Sequence, residues 1–327
     1  MSSGSDIAIS VKGLYKSYGK NKVLKGVTFN VPRGSMLALL GPNGAGKTTT
    51  VRILSTLLGA DKGEIRIDGH DVLKQPQKVR TVIGLTGQSA AVDEMLTGRE
   101  NLVMMGRLYH LTRTSAKARA EELLAEFDLV DAADRPLKTY SGGMRRRLDL
   151  AVSLIAIPPV IFLDEPTTGL DPRSRIAMWQ IIRDLQAKGT TILLTTQYLE
   201  EADQLADNII VIDGGKVIAE GTAKQLKAKV GKDRLELTFQ DAKALAEATK
   251  LLGTAVVDTD DKQYVATTVI SDTNTDVKVV LDTLSRHHIK LVSLNVHKPT
   301  LDDVFLALTG KQTRKGVTNT QTTGEKA

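Results

Sequence analysis

The sequence predicts an α/β phosphate-binding domain followed by a small α+β domain. Three observations carry that prediction. A glycine-rich loop lies between an apolar run and a helix-periodic segment; a second apolar run ends in two carboxylates; and beyond residue 230 strand and helix patterns follow in the order βαββαβ. At 327 residues the chain can bury more than one core, and hydrophobic and charged contents of 41% and 25% are those of a globular protein. The longest apolar stretch, Ala151 to Leu163, contains Pro158 and Pro159 and is too short to span a bilayer. The opening MSSGSDIAIS lacks the basic start and apolar stretch of a secretory signal. With no cysteine there are no disulfides and no thiolate metal sites. The net charge of +6 is spread along the chain and clusters only at Arg145 to Arg147 and Lys311 to Lys315, so it selects no partner.

In chain order, Ile7 to Val31 reads as strands separated by turns at Gly19 and Gly26, with alternation in VLKGVTFNV. Met36 to Leu40 is a short run suited to a buried strand, and Thr49 to Leu58 has helical spacing. Between them Gly41, Pro42, Asn43, Gly44, Ala45, Gly46, Lys47 and Thr48 fit G-x-x-x-x-G-K-[ST]. Glycines there let backbone N–H groups turn inward around a phosphate, and the helix N-terminus that follows, at Thr49, adds orphan donors and partial positive charge. A nucleotide polyphosphate is the natural ligand of such a loop. Lys47 is expected to reach its β- and γ-phosphates, and the Thr48 hydroxyl to ligate Mg²⁺. A helical segment follows from about 89 to 159, with helices over Arg99 to Leu111, Thr114 to Phe127 and Arg145 to Ile157; Met95, Met104 and Met105 read as packing residues. Val160 to Leu163 is a second buried strand, and it delivers Asp164 and Glu165 to the ligand crevice of an open parallel sheet. Asp164 is the expected Mg²⁺-side carboxylate, and Glu165 the group that orients or deprotonates the attacking water. Thr190 to Thr196 is a third strand, Asn208 to Val217 a hairpin with a Gly-Gly turn, and a closing helix ends the first domain, 7–229.

Tyr140-Ser141-Gly142-Gly143-Met144-Arg145 is the most specific phrase in the chain. With it, the sequence resembles the ATP-binding subunits of ATP-binding cassette (ABC) transporters, whose signature is usually written LSGGQ, and is close in type to daunorubicin/doxorubicin-resistance exporter ATPases. The resemblance implies an ABC ATPase domain with a mixed sheet core, an antiparallel β subdomain and a helical subdomain. Ser141 is expected to cap a helix whose N-terminus, with Gly142 and Gly143, faces the γ-phosphate of ATP held by another subunit. The implied state is therefore a homodimer closed around two ATP molecules. By the same resemblance Tyr18 stacks on adenine, Gln88 links the metal and γ-phosphate to the membrane partner, and Asp171 lies on the loop that crosses the dimer interface. Gln197 stands where the family normally has histidine; it can donate an amide N–H to the γ-phosphate but does not titrate near neutral pH. Arg145 to Arg147 reads either as a nucleic-acid patch or as a solvated helix start beside phosphate; no nucleic acid is expected.

The second domain, 233–310, reads as a strand at Arg234 to Phe239, a helix at Ala242 to Leu252, a hairpin over Ala255 to Val269, a helix at Asp276 to His288, a strand at Lys290 to His297, and a helix from Thr300 to Leu308 with Thr300 as its cap. Exporter ATPases of this type carry a similar extension, ending in a phrase like PTLDDVF. It could regulate the dimer, contact the membrane subunit, sense a ligand, or only stabilise the dimer. His287 and His288 read as a favourable helix-end contact rather than metal ligands. Residues 311–327 are polar and expected to be disordered. The function implied is ATP-driven export through separate integral membrane permease subunits, from the cytoplasmic face of the cell membrane, of drugs or other amphiphilic cargo. Two other classes are a non-transport ABC ATPase acting in translation, which usually has two cassettes in one chain, and a resistance protein that binds without turnover, which would lack Asp164 or Glu165.

Overall fold

The computed structural model describes residues 6–87, 92–231 and 233–309. They form two compact units that divide between residues 223 and 224. The first contains, in order, β1 (Ile7–Tyr18), β2 (Asn21–Pro32), β3 (Met36–Leu40), α1 (Lys47–Leu54), β4 (Lys62–Ile67), β5 (His70–Asp71), α2 (Pro76–Val82), β6 (Ile83–Thr86), α3 (Gly98–Leu108), α4 (Arg113–Glu126), α5 (Gly142–Ser153), β7 (Val160–Asp164), α6 (Pro172–Ala187), β8 (Thr191–Thr196), α7 (Leu199–Leu205), β9 (Asn208–Asp213) and β10 (Lys216–Gly221). Helix α8 (Ala223–Val230), read from the sequence as the closing helix of the first domain, falls almost entirely in the second unit.

Strands β10-β9-β3-β8-β7-β6 make a six-stranded sheet, parallel except for the β9–β10 hairpin. Every residue of β3, β7 and β8 is buried, as expected of parallel strands covered on both faces. Alternation divides them between two cores. Leu37, Leu39, Val160, Phe162 and Leu193 join the antiparallel sheet β2-β1-β4-β5 and α1. Met36, Ile161, Leu163, Ile192 and Leu194 join α3 to α6. The antiparallel subdomain and the helical subdomain are thus fixed to opposite faces of one sheet by period-two patterning.

Local chemistry explains most element ends. Thr97 and Glu100 form a reciprocal capping box at the start of α3. Helix α5 starts at Gly142, earlier than the periodicity predicts, because Ser141 caps it by accepting from the Met144 N–H; it stops at Ser153, short of Ile157, whose φ of +51° and following Pro158 cannot continue a helix. Gly26 is not a turn. It lies inside β2, where a Cβ would come within 2.8 Å of the Tyr15 hydroxyl, so glycine makes room for the cross-strand tyrosine. Met105 packs on the helical core as expected, whereas Met95 is exposed.

The second unit follows the predicted order: β11 (Asp233–Phe239), α9 (Ala242–Leu252), β12 (Val256–Asp260), β13 (Val265–Ile270), α10 (Thr273–Arg286), β14 (Leu291–His297) and α11 (Leu301–Thr309). Its antiparallel sheet has the order β12-β13-β11-β14, and Leu235, Leu237, Phe239, Ala266 and Ile270 meet Leu245, Ala248 and Leu284 in one core. Thr300 caps α11, exchanging hydrogen bonds with Asp303. The tail from 311 lies outside the described residues.

One buried hydrogen bond tests the helical subdomain. The Tyr140 hydroxyl donates to the Ala132 carbonyl at 2.7 Å. Tyr140→Phe removes that bond and leaves the carbonyl with the Arg135 N–H alone. The loss of one net hydrogen bond is expected to cost about 1 kcal/mol, lowering the calorimetric midpoint by a few degrees; an unchanged midpoint would contradict the assignment.

Candidate functional site

The phosphate loop joins β3 to α1 at the point where β3 has β8 on one side and β9 on the other, a crevice position in an open α/β sheet. Its shape depends on two glycines. A Cβ on Gly41 would sit 2.2 Å from the Ile212 carbonyl oxygen, and Gly46, with φ of +107°, would drive one to 2.5 Å from Leu24. Only glycine lets the loop lie this close to its neighbours. Asn43, Gly44, Gly46, Lys47, Thr48 and Thr49 line a cleft of about 460 Å³ together with Asn21, Val23 and Glu165, a size suited to a small-molecule ligand. The Lys47 ammonium is buried, donates to the Gly41 and Pro42 carbonyls at 2.7 and 3.2 Å, and lies 3.6 Å from Glu165. Burial pulls its pKa below the ordinary lysine value, and the charges of Glu165 and Asp164 oppose that shift.

Strand β7 ends beside this loop. Asp164 Oδ1 accepts from the Thr48 hydroxyl at 3.3 Å and from the Thr195 hydroxyl; Thr195 lies opposite Asp164 in the parallel β7–β8 ladder. The Thr48 hydroxyl and the Asp164 carboxylate are the hard oxygen donors that Mg²⁺ prefers. Glu165 then leaves the strand with φ of +52°, a left-handed backbone that costs a non-glycine residue about 1 kcal/mol or more. Its N–H is held by the Thr195 carbonyl and hydroxyl at 3.1 and 3.2 Å. This turn aims the carboxylate toward Lys47. Thr195 was not singled out in the sequence; the threonine pair ending TTILLTT is the signal that marks it.

Ser141, Gly142 and Gly143 stand apart from the phosphate cleft. Gly142 lines a second cleft of about 520 Å³ with Arg145, Arg146, Asp149, Thr168, Gly169 and Leu170, which among the described residues shares only Glu165 with the first. Gly143 has a packing reason of its own, since a Cβ there would lie 2.7 Å from Ser174 Oγ. Ser174 in turn hydrogen-bonds Asp171, which caps α6 with Pro172 as the first helical residue; those bonds hold the Asp171 carboxyl below the usual range. The arginine run is not a solvated face. Arg145 pairs with Glu94, Arg147 reaches the Phe127 carbonyl and Asp128, and Arg146 turns inward beneath the β7 end.

Tyr18 closes β1 with an exposed ring under the Lys16 ammonium, on the hairpin whose return strand supplies Asn21 and Val23 to the phosphate cleft. Gln197 is half-buried immediately after β8, beside the β7 end, and lines neither cleft. Gln88 lies outside the described residues. A group the sequence did not flag is Glu201 on α7: fully buried, it accepts from the Thr167 hydroxyl at 2.7 Å and the Trp179 indole at 3.1 Å, tying α7 to the turn after Glu165 and to α6. Burial raises its pKa above the ordinary glutamate value, against the pull of those hydrogen bonds.

Residues 24–168 match the ABC transporter family and residues 221–309 match the C-terminal domain of ATP-binding proteins like DrrA1-3. The chain is 52% identical to the daunorubicin resistance ATP-binding protein DrrA3 of Streptomyces coeruleorubidus, over 95% of this chain and 98% of that one. It is 37% identical to the linearmycin resistance ATP-binding protein LnrL of Bacillus subtilis, over 94% and 99%. Among solved structures, an ATP-binding subunit of an ABC transporter superposes with a TM-score of 0.61 at 32% identity, covering 68% of this chain and 92% of that one. A dimeric ATP-binding cassette in a post-hydrolysis state, bound to ADP and Pi, superposes with a TM-score of 0.60 at 27% identity, covering 65% and 98%.

Two outcomes check the site. Gly46→Ala is expected to abolish nucleotide binding in a titration with a fluorescent ATP analogue, because both the left-handed φ and the Leu24 contact oppose a Cβ; tight binding by the variant would refute the cradle. Glu201→Gln keeps an acceptor oxygen and removes the titration. A carboxyl whose folded pKa is raised binds its proton more tightly when folded, so wild-type stability falls as pH rises from the unfolded value near 4.5 through the folded pKa. The variant should gain on the wild type from acid toward neutral pH in urea melts. A difference independent of pH would show that Glu201 ionises freely.

Proposed function

The chain belongs to the ABC transporter ATP-binding proteins, in the group of daunorubicin and doxorubicin resistance ATP-binding proteins, and from that membership we propose a homodimeric, Mg²⁺-dependent ATPase that drives export through separate membrane subunits. The observation that carries the dimer is the separation of the two half-sites: Lys47 lines one cleft of the chain, and Gly142, which follows the helix cap Ser141, lines another. A second copy, turned to face the first, brings its Ser141 and Gly143 to the phosphates held over Lys47, and completes two equivalent sites.

In that assembly the loop amides of residues 41–49 and the Lys47 charge hold the β- and γ-phosphates, and Tyr18 stacks on the adenine. Thr48 and Asp164, with Gln88 by family resemblance, would hold Mg²⁺, which would supply positive charge to the phosphate oxygens. Glu165 orients or deprotonates the water that attacks the γ-phosphorus, and the Gln197 amide donates to a γ-oxygen. Asp171 stands at the interface. Hydrolysis breaks the bond between β-oxygen and γ-phosphorus and removes the ligand that holds the two copies together.

Among the described residues no helix is long and apolar enough to cross a membrane; by family membership the path for cargo belongs to other subunits and this one works at the inner face of the cell membrane. Relatives named for resistance to daunorubicin, doxorubicin and linearmycin support amphiphilic drugs as cargo.

Glu165→Gln is expected to bind ATP and elute as a dimer in gel filtration with Mg²⁺ and ATP, while wild-type turnover per chain rises with protein concentration. A Glu165→Gln monomer under saturating ATP would overturn the composite site. Gln197→His should change turnover and introduce a pH step near the ordinary histidine pKa of about 6.5; a pH profile and rate identical to wild type would remove Gln197 from the site.

A further inference from the structure

The surroundings of Arg146 are unusual for a side chain in a charge run. Its guanidinium is largely buried and has acceptors for all five N–H donors. Nε donates to the Pro166 carbonyl at 2.8 Å, Nη2 to the Asp164 and Glu165 carbonyls at 3.2 and 3.0 Å, and Nη1 to the Gly87 carbonyl at 2.7 Å and the Asp149 carboxylate at 3.4 Å. Three of those carbonyls are consecutive and belong to the segment that turns Glu165 out of β7. The fourth belongs to the residue preceding Gln88 in sequence.

Peptide carbonyls that leave a strand end need partners once water is excluded. At Glu165 the need is sharper, because φ of +52° is maintained only where the surroundings over-determine it. A planar fork of five donors can meet five acceptors from separate chain segments at once; an ammonium has three donors and can meet at most three. The fork stands on α5, about one turn from Ser141, which caps the same helix.

We propose that Arg146 is a positioning residue for hydrolysis: it holds the left-handed turn that aims Glu165, and links that turn to the signature helix which meets ATP on the partner copy. The idea rests on the proposed composite site for its effect on rate, but not for its effect on the backbone. It implies that engagement of Ser141 and the aim of Glu165 move together, because one helix carries both contacts.

The experiment compares wild type, Arg146→Ala and Arg146→Lys in the full chain, reading ATP turnover, ATP affinity, thermal midpoint and backbone hydrogen exchange over 160–170. Expected are a fall in kcat of about tenfold or more in both variants, ATP affinity within about twofold of wild type, and faster exchange confined to the β7 end. Added guanidinium, below denaturing concentration, should restore part of the Arg146→Ala rate, and methylammonium should not. Unchanged kcat and exchange, full restoration by lysine, or exchange accelerated throughout the domain with affinity lost in proportion would each overturn the proposal. Absence of turnover in the wild type would count against the ATPase assignment, while the exchange measurement would still decide the role of Arg146 in the turn.

Discussion

The structure depends on what happens where β7 ends. Within the span from Asp164 to Pro166 the chain presents a carboxylate to Thr48, reverses into a left-handed residue, and exposes three successive carbonyls. Each demand has a specific answer: Thr195 across the ladder for Asp164 and for the Glu165 N–H, Lys47 for the Glu165 carboxylate, and Arg146 for the carbonyls. These partners come from α1, β8 and α5. The Glu165 carboxylate is therefore positioned by elements that are far apart in sequence and share no pattern beyond converging on one strand end.

That convergence requires the sheet beneath it. Because β3, β7 and β8 are buried on both faces, their alternating side chains commit one face to the antiparallel subdomain and the other to the helices. The phosphate loop and α1 lie on the first side, and the signature helix α5 on the second. One chain thus presents its phosphate loop and the Gly142 start of α5 to different clefts, with Glu165 the only residue common to both among the described residues. The geometry that looks like an incomplete active site in one copy is what a closed dimer would complete twice.

Much of this was legible in the sequence. The phosphate loop, the strands before it and before Asp164, the Ser141 and Thr300 caps, and the βαββαβ order of the second unit follow from local rules on glycine, apolar runs and capping. What was not legible depends on long-range partners. Gly26 reads as a turn until Tyr15 is seen to occupy the space its Cβ would fill. Arg145 to Arg147 reads as a solvated run because nothing local announces a cup of carbonyls assembled from two other segments. Glu201 looks like one more surface acid on YLEEAD until Thr167 and Trp179 close over it. Thr195 becomes a site residue only when strand register places it opposite Asp164.

The central claim is that one copy's phosphate loop works with the other's signature helix, and mixing two inactive chains tests it directly. A chain carrying Lys47→Ala keeps its Ser141, and one carrying Ser141→Ala keeps its Lys47. In a mixed dimer one site joins the intact Lys47 to the intact Ser141, while the other combines both defects. Mixing should therefore restore ATP hydrolysis that neither chain shows alone. If the mixture stays as inactive as its components while the two chains demonstrably associate, each site is complete within one chain and the composite account is wrong.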